Sequence, residues 1–331
     1  MAITTETEAD QRAFADALRG ARRITAVCHE NPDADTIGGA VAVALIAQRL
    51  GKEWEIVSVD APAPAFDFLP LIESVRQAPE LEPDLAVVCD AATLERVGRI
   101  RVEHAEWFER ARLVNVDHHI TNSQFGDVNL VDGSAAATCQ VIATALPAVG
   151  VPLDREIATA LLTGVVRDSQ GFSDPSTKGE TLRVAAELVE AGAPIALIHR
   201  RVLAELPYAT LALWGRMLNT IGQRRDGRIV YTTLTREMLD STGTENHDAD
   251  GLAEFIAKAK GADISILLRE TGPDRTRVSL RVSEAVDATQ IAAAFGGGGH
   301  ARRAGCTIEA SADRAAEELL AVCERVLDAA A

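Results

Sequence analysis

The sequence predicts a two-domain α/β protein whose N-terminal domain contains a parallel β-sheet with helices on both faces. Two observations support this fold class. Short apolar runs rich in β-branched residues alternate with longer helical runs through the first half of the chain, which is typical of buried parallel strands joined by helical crossovers. The chain has 331 residues, a length that favours about two domains.

The strand-like runs of the first half lie at residues 24–28, 54–59, 85–89 and 112–116, and the helical runs at 36–50, 135–147 and 154–166. Gly51 ends the first helical run, and the hydroxyl of Thr36 at its start is a candidate N-cap. Because the carboxyl ends of parallel strands open on one edge of a sheet, functional side chains are expected there.

The second half predicts a smaller α/β domain with a mixed sheet. Residues 179–203 are helical with a break near 192–194, residues 207–222 form an amphipathic helix, and residues 223–228 form a polar turn. Strands are predicted at 229–234, 263–269 and 276–282. The predicted boundaries are therefore an N-terminal domain at 1–190, a helical connector at 191–227 and a C-terminal domain at 228–331.

Composition restricts the class of protein. The formal net charge is −16, which argues against a protein that coats long nucleic acid but leaves room for a short anionic substrate bound by a few arginines. The five cysteines form no CxxC pair, so we expect them to be reduced and mostly buried in a cytoplasmic protein. The sequence shows no signal peptide and no run of 18 apolar residues, so no membrane association is expected.

Four stretches place acids or histidines directly after an apolar strand or helix. They are "VCHENPDADTIGG" with His29, Asp33 and Asp35, "AVVCDAA" with Asp90, "LVNVDHHITN" with Asp117, His118 and His119, and "GVVRDSQGF" with Asp168. In a parallel sheet the loops after the strands meet at one edge. Taken singly, each acid is also compatible with a helix cap or turn, and His29 with a structural histidine.

Together, the four stretches predict a metal site. Oxygen-rich sites with one or two imidazoles suit Mn²⁺, Mg²⁺ or Fe²⁺ better than metals that prefer thiolates. So many carboxylates exceed the need of a single ion and favour two ions bridged by one carboxylate. Such a pair activates a water molecule as a nucleophile and is typical of phosphoester hydrolysis.

A second signal is the glycine run "AFGGGGHARRAGCTI" at 294–308. Four successive glycines disfavour both helix and strand, and they allow backbone N–H groups to approach an anion. His300, Arg302 and Arg303 follow directly, and Arg281 lies upstream in an alternating strand. These residues predict a phosphate-binding site, although a flexible hinge remains the alternative interpretation.

The ordered stretches "HENPDAD", "VVCD", "VDHH" and "RDSQGF" resemble the four motifs of the DHH phosphoesterases, and "GGGGHARRAG" resembles the glycine–histidine motif of the DHHA1 domain. Within this family the chain is most similar to the bifunctional oligoribonuclease/pAp phosphatases, also called nanoRNases. RecJ-type exonucleases are usually longer, and family II pyrophosphatases end in a different C-terminal domain.

The resemblance implies a role for each residue. His29 and Asp33 would bind one metal ion, Asp35, His118 and Asp168 the second, and Asp90 would bridge both. His119 would contact the phosphate or assist proton transfer, and Asp117 would orient the histidines. Residues of the C-terminal domain would hold the phosphate or terminal nucleotide of the substrate, namely Arg281, Gly297, Gly298, Gly299, His300 and Arg302.

Two positions depart from the family pattern. The fourth motif more often reads Thr-Asp-Thr-Gly, whereas Arg167, Asp168, Ser169 and Gln170 stand here. The ligand Asp168 is kept, so the departure concerns its neighbours. A small residue is common where Arg303 stands, and an arginine there would add a phosphate contact or restrict the site.

The resemblance implies a cytoplasmic enzyme with two divalent ions, Mn²⁺ or alternatively Mg²⁺. It would hydrolyse short oligoribonucleotides to nucleoside 5′-monophosphates, with adenosine 3′,5′-bisphosphate (pAp) as a second candidate substrate. Hydrolysis of cyclic dinucleotides or pApA is an alternative activity, and a nucleotide-binding sensor without activity is a non-enzymatic one. A homodimer, formed through the helix at 207–222, is an open expectation.

Overall fold

The computed structural model describes residues 5–82, 84–249 and 251–330. The chain divides into two compact units, Met1–Glu205 and Leu206–Ala331, and the division falls inside the segment 191–227. Every helix within the described residues is too short or too polar to span a membrane. All five cysteines are buried and unpaired.

The N-terminal unit contains the predicted parallel sheet, with six strands in the order β3-β2-β1-β4-β5-β6. Its strands are β1 (Arg23–Val27), β2 (Glu53–Val57), β3 (Val75–Arg76), β4 (Leu85–Cys89), β5 (Arg112–Asp117) and β6 (Val128–Val131). Its helices are α1 (Thr5–Gly20), α2 (Ala34–Arg49), α3 (Ile100–Glu103), α4 (Ala105–Arg110), α5 (Thr138–Val149), α6 (Arg155–Asp168), α7 (Gly179–Glu190) and α8 (Ile195–His199). Short 3-10 helices lie at Pro64–Phe66, Ile72–Ser74 and Leu94–Val97, and a π-helical turn at Arg200–Ala204.

Apolar side chains cover both faces of this sheet, as predicted. Ile24 and Val87 belong to a core shared with α1, α2, α5 and α6, whereas Val27 and Val88 pack with Trp107 of α4 on the opposite face. The strand order reverses between β1 and β4. Ligands of open α/β sheets bind at the carboxyl edge beside such a reversal, because the loops there diverge and leave a crevice.

Helix α2 is buried along almost its whole length and packs closely on α6. A Cβ atom on Gly38 would lie 2.5 Å from the carbonyl oxygen of Ala160, so only glycine permits this approach. The prediction that Thr36 caps α2 is wrong. Asp33 is the N-cap and accepts hydrogen bonds from the backbone N–H groups of Asp35 and Thr36, while the Thr36 hydroxyl donates to the carbonyl oxygen of Cys89 at 2.8 Å.

The C-terminal unit contains the predicted mixed sheet, with six strands in the order β11-β12-β10-β9-β8-β7. Its strands are β7 (Gly222–Arg224), β8 (Ile229–Leu234), β9 (Ile264–Gly272), β10 (Arg275–Val282), β11 (Gly298–His300) and β12 (Arg303–Ile308). Its helices are α9 (Tyr208–Asn219), α10 (Arg236–Thr242), α11 (Leu252–Ile256), α12 (Ala288–Ala293) and α13 (Ala312–Ala330), with a 3-10 helix at Asn246–Ala249.

Two local predictions are wrong in this unit. The segment 223–228 is a turn only from residue 225, because its first residues belong to β7, which pairs antiparallel with β8. The glycine run forms a strand at Gly298–His300, because β12 supplies an antiparallel partner for its backbone. Tertiary pairing therefore overrides the weak strand propensity of glycine.

Helices cover the two faces of the second sheet unequally. On one face, α12 and α13 pack across the apolar side chains of β8, β9, β10 and β12. On the other face, α9, α10 and α11 pack on Val230, Leu234 and Leu267 of β8 and β9. The same face carries exposed Arg277 on β10 and exposed Arg303 on β12, so this half of the sheet is open to solvent.

The tight contact of α2 with α6 predicts the effect of a substitution. Gly38→Ala is expected to lower the free energy of unfolding by about 1–3 kcal/mol, as is usual for an overpacked core. Gly20→Ala is the matched control, because its Cβ would meet no atom within 4 Å. Urea denaturation followed by circular dichroism measures both, and equal midpoints for the two variants would contradict the prediction.

Candidate metal centre

The carboxyl edge of the first sheet collects the acids and histidines of all four sequence stretches. His29 and Asp33 follow β1, Asp90 follows β4, and His118 follows β5. Asp168 is the last residue of α6. The loops after three parallel strands and the end of one helix therefore place these side chains together.

One group of potential ligands consists of His29, Asp33 and Asp90, whose ligand atoms all lie within 4.8 Å of one another. The Nε2 atom of His29 is 3.4 Å from Asp90 Oδ2 and 3.7 Å from Asp33 Oδ1. The other ring nitrogen, Nδ1, lies 2.7 Å from the carbonyl oxygen of Glu30. A proton on Nδ1 would be donated to that carbonyl, which leaves the Nε2 lone pair directed toward the two carboxylates.

A second group consists of Asp35, His118 and Asp168. The Nε2 atom of His118 is 3.3 Å from Asp168 Oδ2 and 4.0 Å from Asp35 Oδ2. The same atom is 3.5 Å from Asp90 Oδ1. Asp90 thus presents one oxygen to His29 and the other to His118, so it lies between the two groups.

The two adjacent histidines differ in their partners. His119 Nδ1 lies 2.7 Å from Asp117 Oδ1 and 3.7 Å from Asp90 Oδ1. Asp117 is fully buried and also accepts a hydrogen bond from the side-chain amide of Asn122. His119 is about half exposed, at 46% of its side-chain area, whereas His118 is 17% exposed. Asp117 therefore fixes the ring of the more accessible histidine.

The field of the carboxylates is strong. Burial lowers the pKa of His29, but Asp33 and Asp90 outweigh it and raise the pKa to about 10. Burial also lowers the pKa of His118, but Asp168, Asp35 and Asp90 outweigh this effect and raise the pKa to about 10. The pKa of Asp35 is raised well above its usual range by burial and by the charges of Asp90 and Asp168. A field that stabilises imidazolium also attracts a divalent cation.

The C-terminal unit contains a cationic pocket on the open half of its own sheet. A pocket of about 900 Å³ is lined by Arg281, by Gly297, Gly298 and Gly299, and by Arg303. Among the described residues that line it are four arginines and no carboxylate. In a chain of net charge −16, this concentration of positive charge suits an anion.

His300 and Arg302 do not line that pocket. The strand register nevertheless makes His300, Arg303 and Arg281 lateral neighbours across β11, β12 and β10. Arg302 lies at the turn, where its guanidinium donates to the carbonyl oxygens of Ser283 and Val286. Arg281 donates through Nε to Glu254 at 2.8 Å, which fixes its side chain at the pocket wall.

Comparison with known proteins agrees with this arrangement. The DHH family N-terminal domain matches residues 23–165, and the DHHA1 domain matches residues 226–329. The bifunctional oligoribonuclease and PAP phosphatase NrnA of Thermus thermophilus is 34% identical over 297 residues, which cover 88% of this chain and 86% of that protein. This chain belongs to the DHH family. It is a hydrolase that acts on phosphoester bonds.

Other relatives agree with this assignment. NrnA of Bacillus subtilis is 26% identical over 301 residues, which cover 89% of this chain and 93% of that protein. The crystal structure of an exopolyphosphatase-related protein from Bacteroides fragilis superposes with a TM-score of 0.83 at 22% identity, covering 97% of this chain and 96% of that one. That likeness confirms the fold of the DHH and DHHA1 domains.

Residues outside the DHH motifs hold the buried carboxylates in place. The backbone N–H groups of Thr138 and Cys139, at the start of α5, donate to the two oxygens of Asp35 at 2.6 and 2.9 Å. The Thr138 hydroxyl donates to Asp90 Oδ1 at 2.9 Å. On the other side, a Cβ on Gly164 of α6 would lie 2.3 Å from Asp35 Oδ1. Thr138 thus connects the carboxylates of both ligand groups.

The backbone at Asp90 also departs from regular geometry. Its φ is +62°, in the left-handed region that only a few residue types such as Asp and Asn enter readily. Its N–H donates to the carbonyl oxygen of Val116 at 2.9 Å, which continues the pairing of β4 with β5 by one residue. Such strain is typical of functional positions whose surroundings impose the conformation.

The hydrogen bond from Thr138 to Asp90 leads to a prediction about the affinity for divalent metal ions. Thr138→Val removes the hydrogen bond to Asp90 with little change of volume, and divalent metal affinity is expected to fall about 10- to 100-fold, as for other partners of metal ligands. Thr138→Ser should retain the wild-type affinity. Titration calorimetry with Mn²⁺ measures this without relying on activity.

Thr163→Val is the control for Thr138→Val. Thr163 is fully buried on α6, and its hydroxyl donates to the carbonyl oxygen of Thr159 at 2.8 Å. The loss of this bond should leave metal affinity unchanged. Equal losses of affinity in the two valine variants would attribute the effect to the core in general and contradict the role of Thr138.

Proposed function

We propose that this protein hydrolyses short oligoribonucleotides to nucleoside 5′-monophosphates and pAp to AMP, using two divalent metal ions. The position of Asp90 between the two ligand groups is the observation that carries the proposal. The names of the NrnA relatives support the choice of substrates. We propose the same division of labour along the chain, with metal chemistry in 1–190, substrate binding in 228–331, and 191–227 as connector.

The donor set fits divalent ions. His29 and Asp33 would hold one ion, Asp35, His118 and Asp168 the other, and Asp90 both. Four carboxylates with two imidazoles favour Mn²⁺, with Mg²⁺ as the alternative, over ions that prefer thiolates. Two such ions would lower the pKa of a shared water molecule and neutralise charge on the phosphoryl oxygens.

Residues of this chain supply the remaining functions at the centre. Asp117 accepts a hydrogen bond from Nδ1 of His119 and raises the pKa of this ring. In the protonated ring Nε2 would donate to a phosphoryl oxygen or give its proton to the leaving oxygen. The buried position of Asp35 and Asp90 shields these two carboxylates from bulk solvent and strengthens their electrostatic effect.

The C-terminal unit would bind the phosphate or terminal nucleotide of the substrate. Arg281 and Arg303 lie at the pocket wall with Gly297, Gly298 and Gly299, and His300 is the lateral neighbour of Arg303. Arginine forks and backbone N–H groups are the usual ligands of phosphate. The additional Arg303 is thus proposed as a phosphate contact, and Arg302 as a structural support of the turn and a secondary contact.

The decisive experiment for the substrate compares four compounds in the presence of Mn²⁺. They are a 5′-labelled diribonucleotide, an RNA of roughly 24 nucleotides, pAp and cyclic di-AMP. The acidic surface disfavours the long RNA, so the dinucleotide and pAp are expected to be hydrolysed fastest. Preferential hydrolysis of cyclic di-AMP would contradict the proposal and indicate a cyclic dinucleotide phosphodiesterase. Hydrolysis of none of the four compounds would indicate a nucleotide-binding sensor without activity.

Light scattering tests the expected homodimer.

Asp90→Ala should abolish Mn²⁺-dependent hydrolysis of bis-p-nitrophenyl phosphate, because both proposed ions lose a ligand. The expected loss is more than about 100-fold, beyond that caused by removing an indirect partner of a metal ligand. Asp16→Ala is the control, because this acid is 77% exposed on α1 and pairs with Arg19. Full activity of the Asp90 variant would rule out two ions bridged by this residue.

Arg281→Gln is expected to raise KM for the diribonucleotide about tenfold, the usual value of a charge-assisted hydrogen bond to phosphate. Metal content, measured by mass spectrometry, should be unchanged, because this residue belongs to the C-terminal unit. Arg236→Gln is the control, since this arginine is 75% exposed and pairs with Asp240. A loss of metal in the Arg281 variant would contradict the role proposed for this residue in substrate binding.

A further inference from the structure

Two asparagines of the N-terminal unit hold the residue that follows Asp90. The carbonyl oxygen of Ala91 accepts hydrogen bonds from the side-chain amides of Asn115 at 3.1 Å and Asn122 at 3.2 Å. A carbonyl oxygen has two lone pairs, and here both have a donor. One donor comes from strand β5 and the other from the loop after it, so the position of Ala91 is fixed from two directions.

The backbone of Asp90 requires such support. Its φ of +62° lies in the left-handed region, where residues other than glycine are strained. The N–H of Asp90 donates to Val116, and the carbonyl oxygen of Ala92 accepts from the N–H and the hydroxyl of Ser123 at 2.8 and 3.1 Å. With the two bonds to Ala91, each residue from 90 to 92 is held by β5 or by the loop after it. The direction of the Asp90 carboxylate depends on this turn.

Asn115 is an unusual residue for its position. It is fully buried within β5, and its neighbours Leu113, on the same face, and Val88, on β4, belong to the apolar core of that face. Its Oδ1 atom has no hydrogen-bond partner among the described residues. Asparagine is rare in strands, and a buried acceptor without a partner lowers stability. Donation to Ala91 is the one contribution that an apolar residue could not make here.

Asn122 connects the same turn to the accessible histidine. Its Nδ2 group also donates to Oδ2 of Asp117 at 2.5 Å, and Oδ1 of that acid lies 2.7 Å from Nδ1 of His119. Its Oδ1 atom accepts from the N–H of Gln124 at 2.6 Å, so both ends of the amide are engaged. A loss of this amide would therefore disturb both the turn at Asp90 and the ring of His119.

We propose that Asn115 and Asn122 are positioning residues that hold the carboxylate of Asp90 for a divalent ion, and that Asn115 lowers the stability of the metal-free fold in doing so. This inference rests on the proposed function, because it takes Asp90 as a metal ligand. A purely structural residue stabilises the protein and leaves metal binding alone. The two roles therefore predict opposite results when Asn115 is replaced.

Asn115→Val separates these roles in the full-length protein. Valine is close to asparagine in size, favours strands and removes the unpartnered Oδ1, while Ala91 keeps its bond from Asn122. The urea midpoint of the metal-free variant is expected to equal or exceed that of the wild type. The affinity for Mn²⁺ in titration calorimetry is expected to fall about tenfold. Either an unchanged affinity or a lower midpoint would overturn the proposal. Asn115→Ala, which adds no volume, should show the same loss of affinity.

Asn129→Ala is the matched control. Asn129 is the lateral neighbour of Asn115 on β6, and its side-chain amide is bonded to the N–H and the carbonyl oxygen of Gly126 at 3.0 and 2.8 Å. Its replacement should lower the urea midpoint and leave the Mn²⁺ affinity unchanged, which is the reverse of the result for Asn115. A loss of affinity as large as that of the Asn115 variant would attribute the effect to general destabilisation and overturn the proposal.

A double-mutant cycle with His119 tests the second asparagine. At saturating Mn²⁺, Asn122→Ala is expected to lower kcat for bis-p-nitrophenyl phosphate about tenfold, because Asp117 and the ring of His119 lose their support. In a His119→Ala background the same substitution should have little further effect on kcat, since both changes remove one contribution. Losses that multiply would overturn the role of Asn122.

Asp90→Ala in the same calorimetry separates this inference from the proposed function. If Asp90→Ala weakens Mn²⁺ binding but Asn115→Val does not, this inference fails and the proposed function stands. If Asp90→Ala leaves Mn²⁺ binding unchanged, the bridging role of Asp90 fails and this inference fails with it. If the variants bind Mn²⁺ as expected but the wild type hydrolyses neither oligonucleotides nor pAp, the proposed substrates are wrong and this inference stands.

Discussion

The site of the N-terminal unit depends on how the buried carboxylate of Asp35 is stabilised. This side chain has no exposed area, and an ion so placed is unstable unless donors or cations compensate it. Two N–H groups at the start of α5 provide part of the compensation. The remainder must come from positive charge at the edge of the sheet, supplied by a proton, by His118 or by a cation. The fold therefore contains a requirement for positive charge at this point.

The same carboxylate dictates how three helices pack. Asp35 lies in the first turn of α2, receives the start of α5 and faces α6. Its closeness to α6 requires glycine at position 164, and the crossing of α2 with α6 requires glycine at position 38. A glycine within a helix costs about 0.5–1 kcal/mol relative to alanine. These two positions therefore lower the intrinsic stability of their helices, but they allow the close packing around the Asp35 carboxylate.

Much of the fold could be predicted, because its strands and helices are marked by continuous apolar runs. The strands β4 and β8 coincide with the predicted ranges, and β1, β2, β5, β9 and β10 differ from theirs by one to three residues at their ends. The sequence analysis did not predict the strands β3, β6, β7, β11 and β12. Helix α2 was recognisable from its apolar length, but its cap was not, since both Asp33 and Thr36 are good N-cap residues and only the tertiary contact of Thr36 with Cys89 decides between them. The strand at Gly298–His300 depends on pairing with β12, which no local propensity reveals.

The sequence motifs predicted the acids and histidines of the site, but not the residues that hold them in place. The ligand groups contain only acids and histidines that the motifs mark, and the parallel topology explains why they meet. Their metal assignments remain predictions. Thr138 belongs to none of these motifs, and in the sequence a single hydroxyl at the start of the apolar helix α5 cannot be told from that of any other buried threonine. The arginines of β10 lie in a strand that could be recognised from its alternation, but only the three-dimensional structure reveals that, within the described residues, no helix covers that half of the sheet.

The distribution of charge offers a physical account of the proposed preference for short substrates. The protein as a whole is strongly acidic, whereas the lining of the pocket in the C-terminal unit is cationic. Acids border the far end of that lining, since Glu309 pairs with Arg275 and Asp274 precedes it in the chain. Electrostatic interactions at an exposed surface extend over about 10 Å at 0.1 M salt. An oligonucleotide confined to the arginines gains from every phosphate, whereas each phosphate beyond them meets like charge. The discrimination by length then requires no steric barrier, and it should weaken as added salt screens the acidic surface.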